Sequence, residues 1–340
     1  MSAIGLDISD AAMRFVELIE TRKGLVIGRF GERDIPRGVI ESGEVKKPAD
    51  LKAVFSELKK EHDLEFVAVS LPEEKAYSFS LVLPVMKYDK VRSAIELALE
   101  DNVPLKPEEA LFDYDIVHES ETELVVNVSV VPRELVDGYL EAFSGTGIVP
   151  AGFEVETESV VRSVIPAADT RTHLVVDFGR TRTGVTIVSV GAVRFTSTIA
   201  VGGNLITEAI AKTLKISLEE AEEVKHEKGI SGGENDDLNL AVMSKIAVLQ
   251  DELYRHLSYW NTHGDELGKK RPPVEKIVLC GGDSNLVGFG EYLSWGLGLP
   301  VEVANVMVNV NTLDVYVPEI SFNDSLRYAT AIGLALRRSK

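Results

Sequence analysis

The feature that most constrains the fold is a pattern that occurs twice, half a chain apart. Residues 4–18 read IGLDISDAAMRFVEL and residues 174–188 read LVVDFGRTRTGVTIV. In each, an apolar run carries an aspartate near its end, a polar turn follows, and a second apolar run leads to a further turn and a third run, GLVIGRF or AVRFTSTI. Asp7 and Asp177 lie 170 residues apart in a chain of 340. Because solenoid repeats recur every 20–50 residues or so, this spacing predicts two similar lobes instead.

Helix and strand patterns alternate along the rest of the chain, which predicts an α/β fold. In LKAVFSELKK the apolar residues fall on one helical face, and FVAVSLP and KIVLC have the pattern of buried strands. Residues 84–150 differ in character, with helical patterns at 90–102 and 133–143 and strand patterns at 111–117 and 123–131. We predict that this stretch is a compact α/β unit inserted between two strands.

The acidic charge of the chain is concentrated in this inserted stretch. The chain has 36 Lys and Arg against 54 Asp and Glu, a formal net charge of −18. Residues 101–150 hold eleven carboxylates against Lys106 and Arg133, a net charge of −9. Nucleic acids and anionic membranes attract cationic surfaces, so neither is expected as the main partner.

Cysteine content and hydropathy indicate the cellular compartment in which the protein is expected. Cys280 is the single cysteine, which excludes a disulfide framework and the common multi-thiolate metal sites. The opening MSAIGLDISD has neither the basic nor the apolar segment of a signal peptide, and no stretch approaches the ~20 apolar residues of a membrane span. We therefore expect a cytoplasmic protein.

The turn after the second aspartate has the composition of a phosphate-binding loop. A carboxylate at the end of a buried strand can hold a hydrated Mg²⁺ near phosphates, while backbone N–H groups of a tight turn face the anion. In DFGRTRTG, Asp177 supplies the carboxylate, Gly179 permits close backbone approach and Thr183 offers a hydroxyl. An aspartate that only caps a β-turn gives the same short pattern, so that alternative stays open at this point.

A third turn could bind phosphate or adenosine. LCGGDSNLVGFGEYL leads from a buried strand through Gly281 and Gly282 into a helix, with Ser284 near the helix start. Glycine backbone and a helix N-terminus can converge on a ligand there. An ordinary strand–loop–helix turn has the same pattern, and Cys280, just before it, is expected to be an inert core thiol.

The order of the three motifs resembles the actin-like ATPase superfamily, with Asp7 in a first phosphate loop, Asp177 to Thr183 in a second, and Gly281 to Ser284 in an adenosine motif. VGGNLITEAIAKTL, which contains Gly203, resembles the connecting segment of the FtsA and MreB branches. LVLPVMKYDKVRSAIELALEDNVPLKPEEALFDYDIV and the terminal YATAIGLALR resemble the PilM family of type IV pilus assembly proteins. Generic actin-like proteins do not share the longer of these two stretches.

The resemblance implies a bilobal actin-like ATPase fold, in which two duplicated lobes enclose a nucleotide cleft and an FtsA- and PilM-type subdomain is inserted. We expect the first lobe at 1–83 plus 318–340 and the inserted subdomain at 84–150. The second lobe is expected at 151–210 plus 274–317, with its own helical subdomain at 211–273.

The resemblance also implies ATP and Mg²⁺ as ligands. Asp7 and Asp177 would hold Mg²⁺ through water, while Glu222 and Lys225 would contact ribose unless they are only a solvated helix face. The other residues expected to bind phosphate or adenosine belong to the loops and the connecting segment: Ser9, Gly179, Thr183, Gly203, Gly281, Gly282 and Ser284.

The implied function is that of an ATP-binding scaffold at the cytoplasmic face of the inner membrane. In the family, the protein holds the short N-terminal cytoplasmic tail of a bitopic membrane protein, PilN, so membrane association would be indirect; self-association is a further expectation. The carboxylates of the inserted stretch, such as Glu108, Glu109, Asp113 and Asp115, would attract a tail with a basic flank. The alternative is an acidic face that only maintains solubility.

Two other functions are compatible with these motifs. A small-molecule kinase of the same fold would need a base near the γ-phosphate, and the six histidines form no cluster with motif spacing. A nucleotide-free secretion or division scaffold is favoured by three departures from the family pattern: Asp10 in the first loop, and Arg180 and Arg182 in the second. An extra carboxylate beside a triphosphate is repulsive, so we expect Asp10 to pair with one of these arginines across the cleft.

Overall fold

Two five-stranded sheets and one three-stranded sheet account for most strands of the computed structural model. The structure describes residues 2–230, 236–265, 267–311 and 316–337, so the last three residues of the predicted first lobe lie outside it. The strands are β1 (Ser2–Ile8), β2 (Ala12–Thr21), β3 (Gly24–Asp34), β4 (Ile40–Glu41), β5 (Glu44–Val45), β6 (Phe66–Leu71), β7 (Tyr77–Pro84), β8 (Ala110–Glu119), β9 (Glu123–Pro132), β10 (Val149–Val155), β11 (His173–Phe178), β12 (Thr183–Ser189), β13 (Ala192–Ile199), β14 (Lys276–Cys280) and β15 (Val301–Val303).

The helices cover the faces of these sheets. They are α1 (Pro48–His62), α2 (Tyr88–Asn102), α3 (Arg133–Phe143), α4 (Glu156–Val164), α5 (Gly203–Leu214), α6 (Leu218–Lys228), α7 (Asp236–Thr262), α8 (Phe289–Leu297), α9 (Phe322–Ser325) and α10 (Ala329–Leu336), with 3₁₀ turns at Glu73–Lys75, Pro107–Glu109 and Leu326–Tyr328. Among the described residues, no helix combines the length and the apolar character needed to cross a membrane.

The two five-stranded sheets share one topology. The first has the order β10-β6-β1-β2-β3 and the second the order β13-β12-β11-β14-β15. In each, the central strand is antiparallel to the next strand of its hairpin and parallel to a strand that arrives later, β6 for β1 and β14 for β11. Asp7 and Asp177 therefore occupy equivalent positions near the carboxyl ends of β1 and β11, which confirms the duplication predicted from the sequence.

Helices pack on both faces of the first sheet. The predicted apolar face of α1 is buried, and Phe55 stacks on Phe143 of α3 with ring centroids 4.1 Å apart. On the opposite face, α10 packs against β1, β2 and α4. The approach is close, because a Cβ on Gly5 would lie 2.0 Å from the carbonyl oxygen of Ala331. The last described helix, α10, thus packs on the first sheet.

The inserted sheet differs in extent from the sequence expectation. β7 pairs with β9 along its whole length, and β9 also pairs with β8. α2 covers this sheet with Val91, Ile95 and Leu99. α3 instead joins the core of the first sheet. The unit built on the three-stranded sheet thus spans 77–132 and not 84–150, because the alternating pattern of β7 fits either sheet and does not reveal its partner.

In the second lobe, α6 begins at a capping box and ends at a glycine. Ser217 accepts a hydrogen bond from the backbone N–H of Glu220, whose side chain accepts one from Ser217, and Gly229 follows α6 as its C-cap. Together with α5, α7 and α8, this helix covers a single apolar core on one face of the second sheet. α6 is thereby held at the edge of the space between the two sheets.

Candidate functional site

The first loop is a tight hairpin between β1 and β2. Ser9 closes it, since its N–H and its hydroxyl both donate to the carbonyl oxygen of Ala12, at 2.9 and 2.8 Å. Asp7 pairs in the β-ladder with Arg14. Its carboxylate also accepts a hydrogen bond of 3.0 Å from the Ser70 hydroxyl on β6. The side chain of Asp7 is only 6% exposed, so the loop presents a buried carboxylate with a cation and a hydroxyl beside it.

The second loop is longer and is held by a helix. The N–H of Gly179 donates to the carbonyl oxygen of Arg182 at 3.0 Å, which closes the turn. At the start of α5, the N–H of Gly203 donates to Gly179 and that of Asn204 to Arg180, at 3.0 and 2.8 Å. A Cβ on Gly202 would lie 2.5 Å from the backbone of Thr181, so the glycine pair lets the helix start approach the loop.

The third turn lies directly beside Asp177. Gly281 has φ +91°, and a Cβ there would lie 2.4 Å from Oδ1 of Asp177 and 2.5 Å from the carbonyl oxygen of Phe178. Only glycine allows this contact without displacement of the second loop. The hydroxyl of Ser284 donates to the carbonyl oxygen of Gly281 at 2.7 Å and so closes the turn.

These loops and α6 line one open cleft between the two sheets. Seven of the eleven predicted site residues lie on its wall: Asp7, Ser9, Asp177, Gly179, Glu222, Gly281 and Gly282. The wall also contains Arg180 and Arg182 of the second loop, together with Arg14, Glu156, His226 and Asp283, which were not predicted as site residues. The alternation of β2 could have indicated Arg14, because it places this side chain beside Asp7 in the hairpin.

The other four predicted residues lie behind the wall. Thr183 is buried and its hydroxyl donates to the carbonyl oxygen of Val201 at 2.6 Å. Ser284 and Gly203 have the supporting contacts described above. Lys225 is 1% exposed, and its Nζ lies 2.6 Å from Oδ1 of Asp283 and 2.9 Å from Oε1 of Glu222. These four therefore fix the shape of the site from behind.

The edge of the cleft at α6 is a hydrogen-bonded carboxylate cluster. Glu222 accepts from the Thr207 hydroxyl at 2.5 Å, and Nε2 of His226 lies 3.2 Å from its other oxygen. Burial acts to raise the pKa of Glu222, but the hydrogen bond from Thr207 and the nearby ammonium of Lys225 outweigh it, so the pKa lies below its ordinary value. Because this carboxylate stays ionised and fixed, it can accept hydrogen bonds from a ligand hydroxyl.

The two aspartates have the opposite character. Burial raises the pKa of Asp7 to about 6 and that of Asp177 to about 7, and the nearby carboxylate of Glu156 adds to both shifts. No residue in the described part of the chain donates a hydrogen bond to the carboxylate of Asp177. Paired, desolvated carboxylate oxygens are the donor set that a hydrated Mg²⁺ takes, so these residues fit the implied metal.

The expected ion pair between the two loops is present, and it uses Arg182. Nη1 of Arg182 lies 3.7 Å from Oδ2 of Asp10 and 2.8 Å from Oε1 of Glu74, and Nη2 lies 3.8 Å from Oε1 of Glu156. Asp10 also accepts backbone hydrogen bonds from Ser42 and Gly43, at 3.0 and 2.9 Å. Arg180, in contrast, is exposed.

Two duplicated lobes around one cleft define the actin-like ATPase fold. The ethanolamine utilization protein EutJ from Carboxydothermus hydrogenoformans aligns with a TM-score of 0.59 and 18% identity, over 99% of this chain and 89% of that chain. MreB5 of Spiroplasma citri, solved bound to AMPPNP, aligns with a TM-score of 0.56 and 13% identity, over 98% of this chain and 94% of that chain. At these identities the likeness shows the fold.

The chain belongs to the PilM family. The family profile, described as type IV pilus assembly protein PilM, matches residues 5–339. A chain of the PilM–PilN type IV pilus biogenesis complex aligns with a TM-score of 0.82 and 26% identity, over 98% of this chain and 97% of that chain.

A curated relative matches over a shorter region. The cell division protein FtsA of Neisseria meningitidis serogroup B (strain ATCC BAA-335 / MC58) is 30% identical over 179 residues, which are 47% of this chain and 41% of FtsA. The match thus spans about two fifths of the length of that relative.

Proposed function

We propose that this chain is a nucleotide-binding scaffold of type IV pilus assembly that docks the cytoplasmic N-terminal tail of a PilN-like inner-membrane protein. The observation that carries the proposal is the extent of the family match, residues 5–339, together with an alignment to the PilM–PilN complex that includes the inserted sheet. The protein would act in the cytoplasm, at the inner face of the membrane, and reach the membrane through its partner.

We propose ATP with Mg²⁺ as the ligand of the cleft. Asp7 and Asp177 would hold the cation through water, and a bound Mg²⁺ would neutralise phosphate charge next to these carboxylates. Gly179 and Ser9 would face the phosphates, while Gly281, Gly282 and Glu222 would adjoin the nucleoside. An actin-fold kinase would need a base near the terminal phosphate; the histidine on the cleft wall in the described structure, His226, is paired with Glu222 on α6 instead.

The inserted sheet offers an acidic surface for the tail. Glu108, Glu109, Asp113 and Asp115 are exposed at and before the outer strand β8. Apolar side chains are exposed on the same unit, and Leu97 on α2 is 85% exposed. Apolar contacts would supply most of the affinity, whereas the carboxylates would mainly speed the encounter with a basic peptide.

Binding of a synthetic tail peptide tests the scaffold. A fluorescein-labelled peptide with the cytoplasmic N-terminal sequence of the PilN-like protein from the same genome should bind the full chain in an anisotropy titration. A scrambled peptide of the same composition is the control. Equal binding of both peptides, or of neither, would contradict the proposed docking.

A salt titration tests whether the acidic residues attract the tail peptide or only keep the protein soluble. On-rate and affinity should fall several-fold between about 50 mM and about 500 mM salt, where the screening length shortens. A variant with Glu108→Gln, Glu109→Gln, Asp113→Asn and Asp115→Asn should lose most of this dependence. Flat wild-type values would assign the acidic residues to solubility.

A nucleotide-free scaffold is the second candidate, because Arg182 already provides a cation among the carboxylates of the two loops. Removal of that pairing by Asp10→Ala discriminates between them. If nucleotide binds, loss of this carboxylate should strengthen ATP binding about threefold, since one repulsive charge is removed. Absence of measurable ATP binding in both wild type and Asp10→Ala would favour the nucleotide-free scaffold.

A further inference from the structure

Arg182 stands between two cavities. It lies on the wall of the main cleft and also on the wall of a second cavity, which is lined by Asp10, Glu73, Glu74 and Thr198 among others. The side chain of Arg182 is only 15% exposed, although it belongs to a turn. Thr181 is the other residue shared by both cavities. No described residue of α6 or of the Gly281 turn lines the second cavity, so Arg182 marks the end of the cleft away from the nucleoside side.

The guanidinium of Arg182 is anchored at one point and is otherwise free to donate. In the described structure it donates one hydrogen bond, from Nη1 to Oε1 of Glu74 at 2.8 Å. Asp10 and Glu156 attract it at 3.7 and 3.8 Å, beyond hydrogen-bond distance. An arginine carries five N–H donors in a planar fork, so this side chain retains donors that are oriented but not engaged.

The negative charge around the cleft means that a bound phosphate would need a cationic donor such as Arg182. Asp7, Asp10, Glu74, Glu156 and Asp177 surround the two loops, and such a surface repels a polyphosphate. In the described structure the wall carries three other arginines: Nη2 of Arg14 is bonded to Glu32 at 2.6 Å, Arg327 is bonded to Glu32 and Asp324 at 3.3 and 3.0 Å, and Arg180 is exposed. Glu74 has its pKa raised, chiefly by burial, although Arg182 opposes that shift. A largely buried guanidinium beside three carboxylates, already oriented by its bond to Glu74, is therefore a group that an entering phosphate would meet.

We propose that Arg182 recognises the terminal phosphate of the bound nucleotide: it keeps its bond to Glu74 as an anchor and turns its remaining N–H groups from Asp10 and Glu156 to the phosphate oxygens. The inference rests on the proposed nucleotide binding and adds to it a residue that distinguishes a triphosphate from a diphosphate. Arginine and phosphate form paired, charge-assisted hydrogen bonds, and these are among the stronger polar contacts in proteins.

Affinities for ATP and ADP, each with Mg²⁺, test this residue in the full chain. By calorimetry, Arg182→Ala should weaken ATP binding about 10–100-fold, the typical effect of lost charge-assisted bonds, and ADP binding by less than about threefold. Arg255→Ala is the control, because Arg255 on α7 is exposed and does not line the cleft. It should change both affinities by less than about threefold.

A conservative variant guards against a folding defect. Arg182→Lys keeps the positive charge among the three carboxylates but lacks the fork, so it should fold and still lose ATP affinity about three- to tenfold. Circular dichroism and thermal unfolding establish that each variant is folded. Equal losses for ATP and ADP, or a loss as large in Arg255→Ala, would overturn the role of Arg182 while wild-type binding upholds the nucleotide site. Wild-type protein that binds neither nucleotide would overturn both.

Discussion

The two phosphate loops are built on the same strands but give their aspartates different neighbours. In the first lobe, Asp7 faces Arg14 across the hairpin and accepts a hydrogen bond from Ser70 on the parallel neighbour β6. In the second lobe, the residue opposite Asp177 is Gly184, and the turn after the parallel neighbour β14 brings Gly281 against it. Side chains support the first aspartate, whereas glycines leave the second one open.

This difference accounts for the electrostatics of the pair. The pKa of Asp7 reaches about 6 and that of Asp177 about 7; burial raises both, but Arg14 and Ser70 act against it more strongly at Asp7. The loops also carry opposite charges, Asp10 on the first and Arg182 on the second, and these pair across the cleft. The two loops are thus similar in backbone because of the duplication, but they carry side chains of opposite charge and so attract each other.

Loss of either aspartate should have the largest effect, because both loops are proposed to hold one cation. Asp7→Asn and Asp177→Asn should each weaken Mg²⁺-dependent ATP binding about 100-fold, the upper part of the range for residues that hold a metal through a second shell. Calorimetry at saturating Mg²⁺ measures this, with Asp113→Asn on the inserted sheet as a control. Wild-type affinity in either aspartate variant would show that its loop does not belong to the site.

A side chain at Gly281 should break the second loop and leave the first intact. Gly281→Ala forces a Cβ against Asp177 and the backbone of Phe178, and we expect it to lower the free energy of unfolding by about 2 kcal/mol. Gly298 also has positive φ, +67°, but has open space around its Cβ position. Gly298→Ala should therefore cost about 1 kcal/mol, from backbone strain alone.

Urea unfolding of both glycine variants measures these costs. Equal destabilisation would mean that positive φ, and not the contact with the second loop, is the reason for glycine at 281.

The pH dependence of folding stability should reveal the desolvated carboxylate of Asp177. A carboxyl with a raised folded-state pKa holds its proton more tightly in the folded chain than in the unfolded one. Asp177 therefore lowers the stability of the nucleotide-free protein as pH rises from about 4 through about 7. Asp177→Asn removes the charged form and should raise the melting temperature at pH 8 but leave it nearly unchanged at pH 4. A variant that is less stable than wild type at pH 8 would contradict the desolvation of this carboxylate.

Ser70→Ala should reduce the difference in pKa between Asp7 and Asp177, and it has the smallest expected effect. Without the hydroxyl hydrogen bond, the pKa of Asp7 should rise from about 6 towards the value of about 7 found at Asp177. Carboxyl-carbon NMR titration of wild type and variant reports both groups, and Asp177 serves as the internal control. An unchanged Asp7 would assign its lower pKa to Arg14.

The sequence revealed the parts of this site that depend on local pattern. Two hairpins 170 residues apart, the aspartates at the strand ends and the glycines of the third turn are all visible as short motifs. The burial pattern of α1 and the capping box of α6 were likewise predictable, because helical periodicity and capping are local properties.

Residues whose role depends on distant partners could not be assigned in the same way. Thr183 and Ser284 offer hydroxyls in sequence, but backbone carbonyls take both, one of them from Val201 after the next two strands. The sequence alone does not distinguish Arg180 from Arg182. In the fold, Arg182 is the one that points towards Asp10 and Glu74. The sheet to which β7 belongs could not be predicted either, because strand pairing also depends on residues distant in sequence.

The central claim is that the two loops form a single Mg²⁺–nucleotide site, and a double-mutant cycle tests it most directly. Calorimetry would compare ATP binding by wild type, Asp7→Asn, Asp177→Asn and the double variant, all at saturating Mg²⁺. If both aspartates hold one cation, the double variant should lose little more than the ~100-fold lost by either single variant, since the first substitution already removes the shared ion. Losses that multiply to about 10,000-fold, as expected of independent groups, would contradict a single shared site.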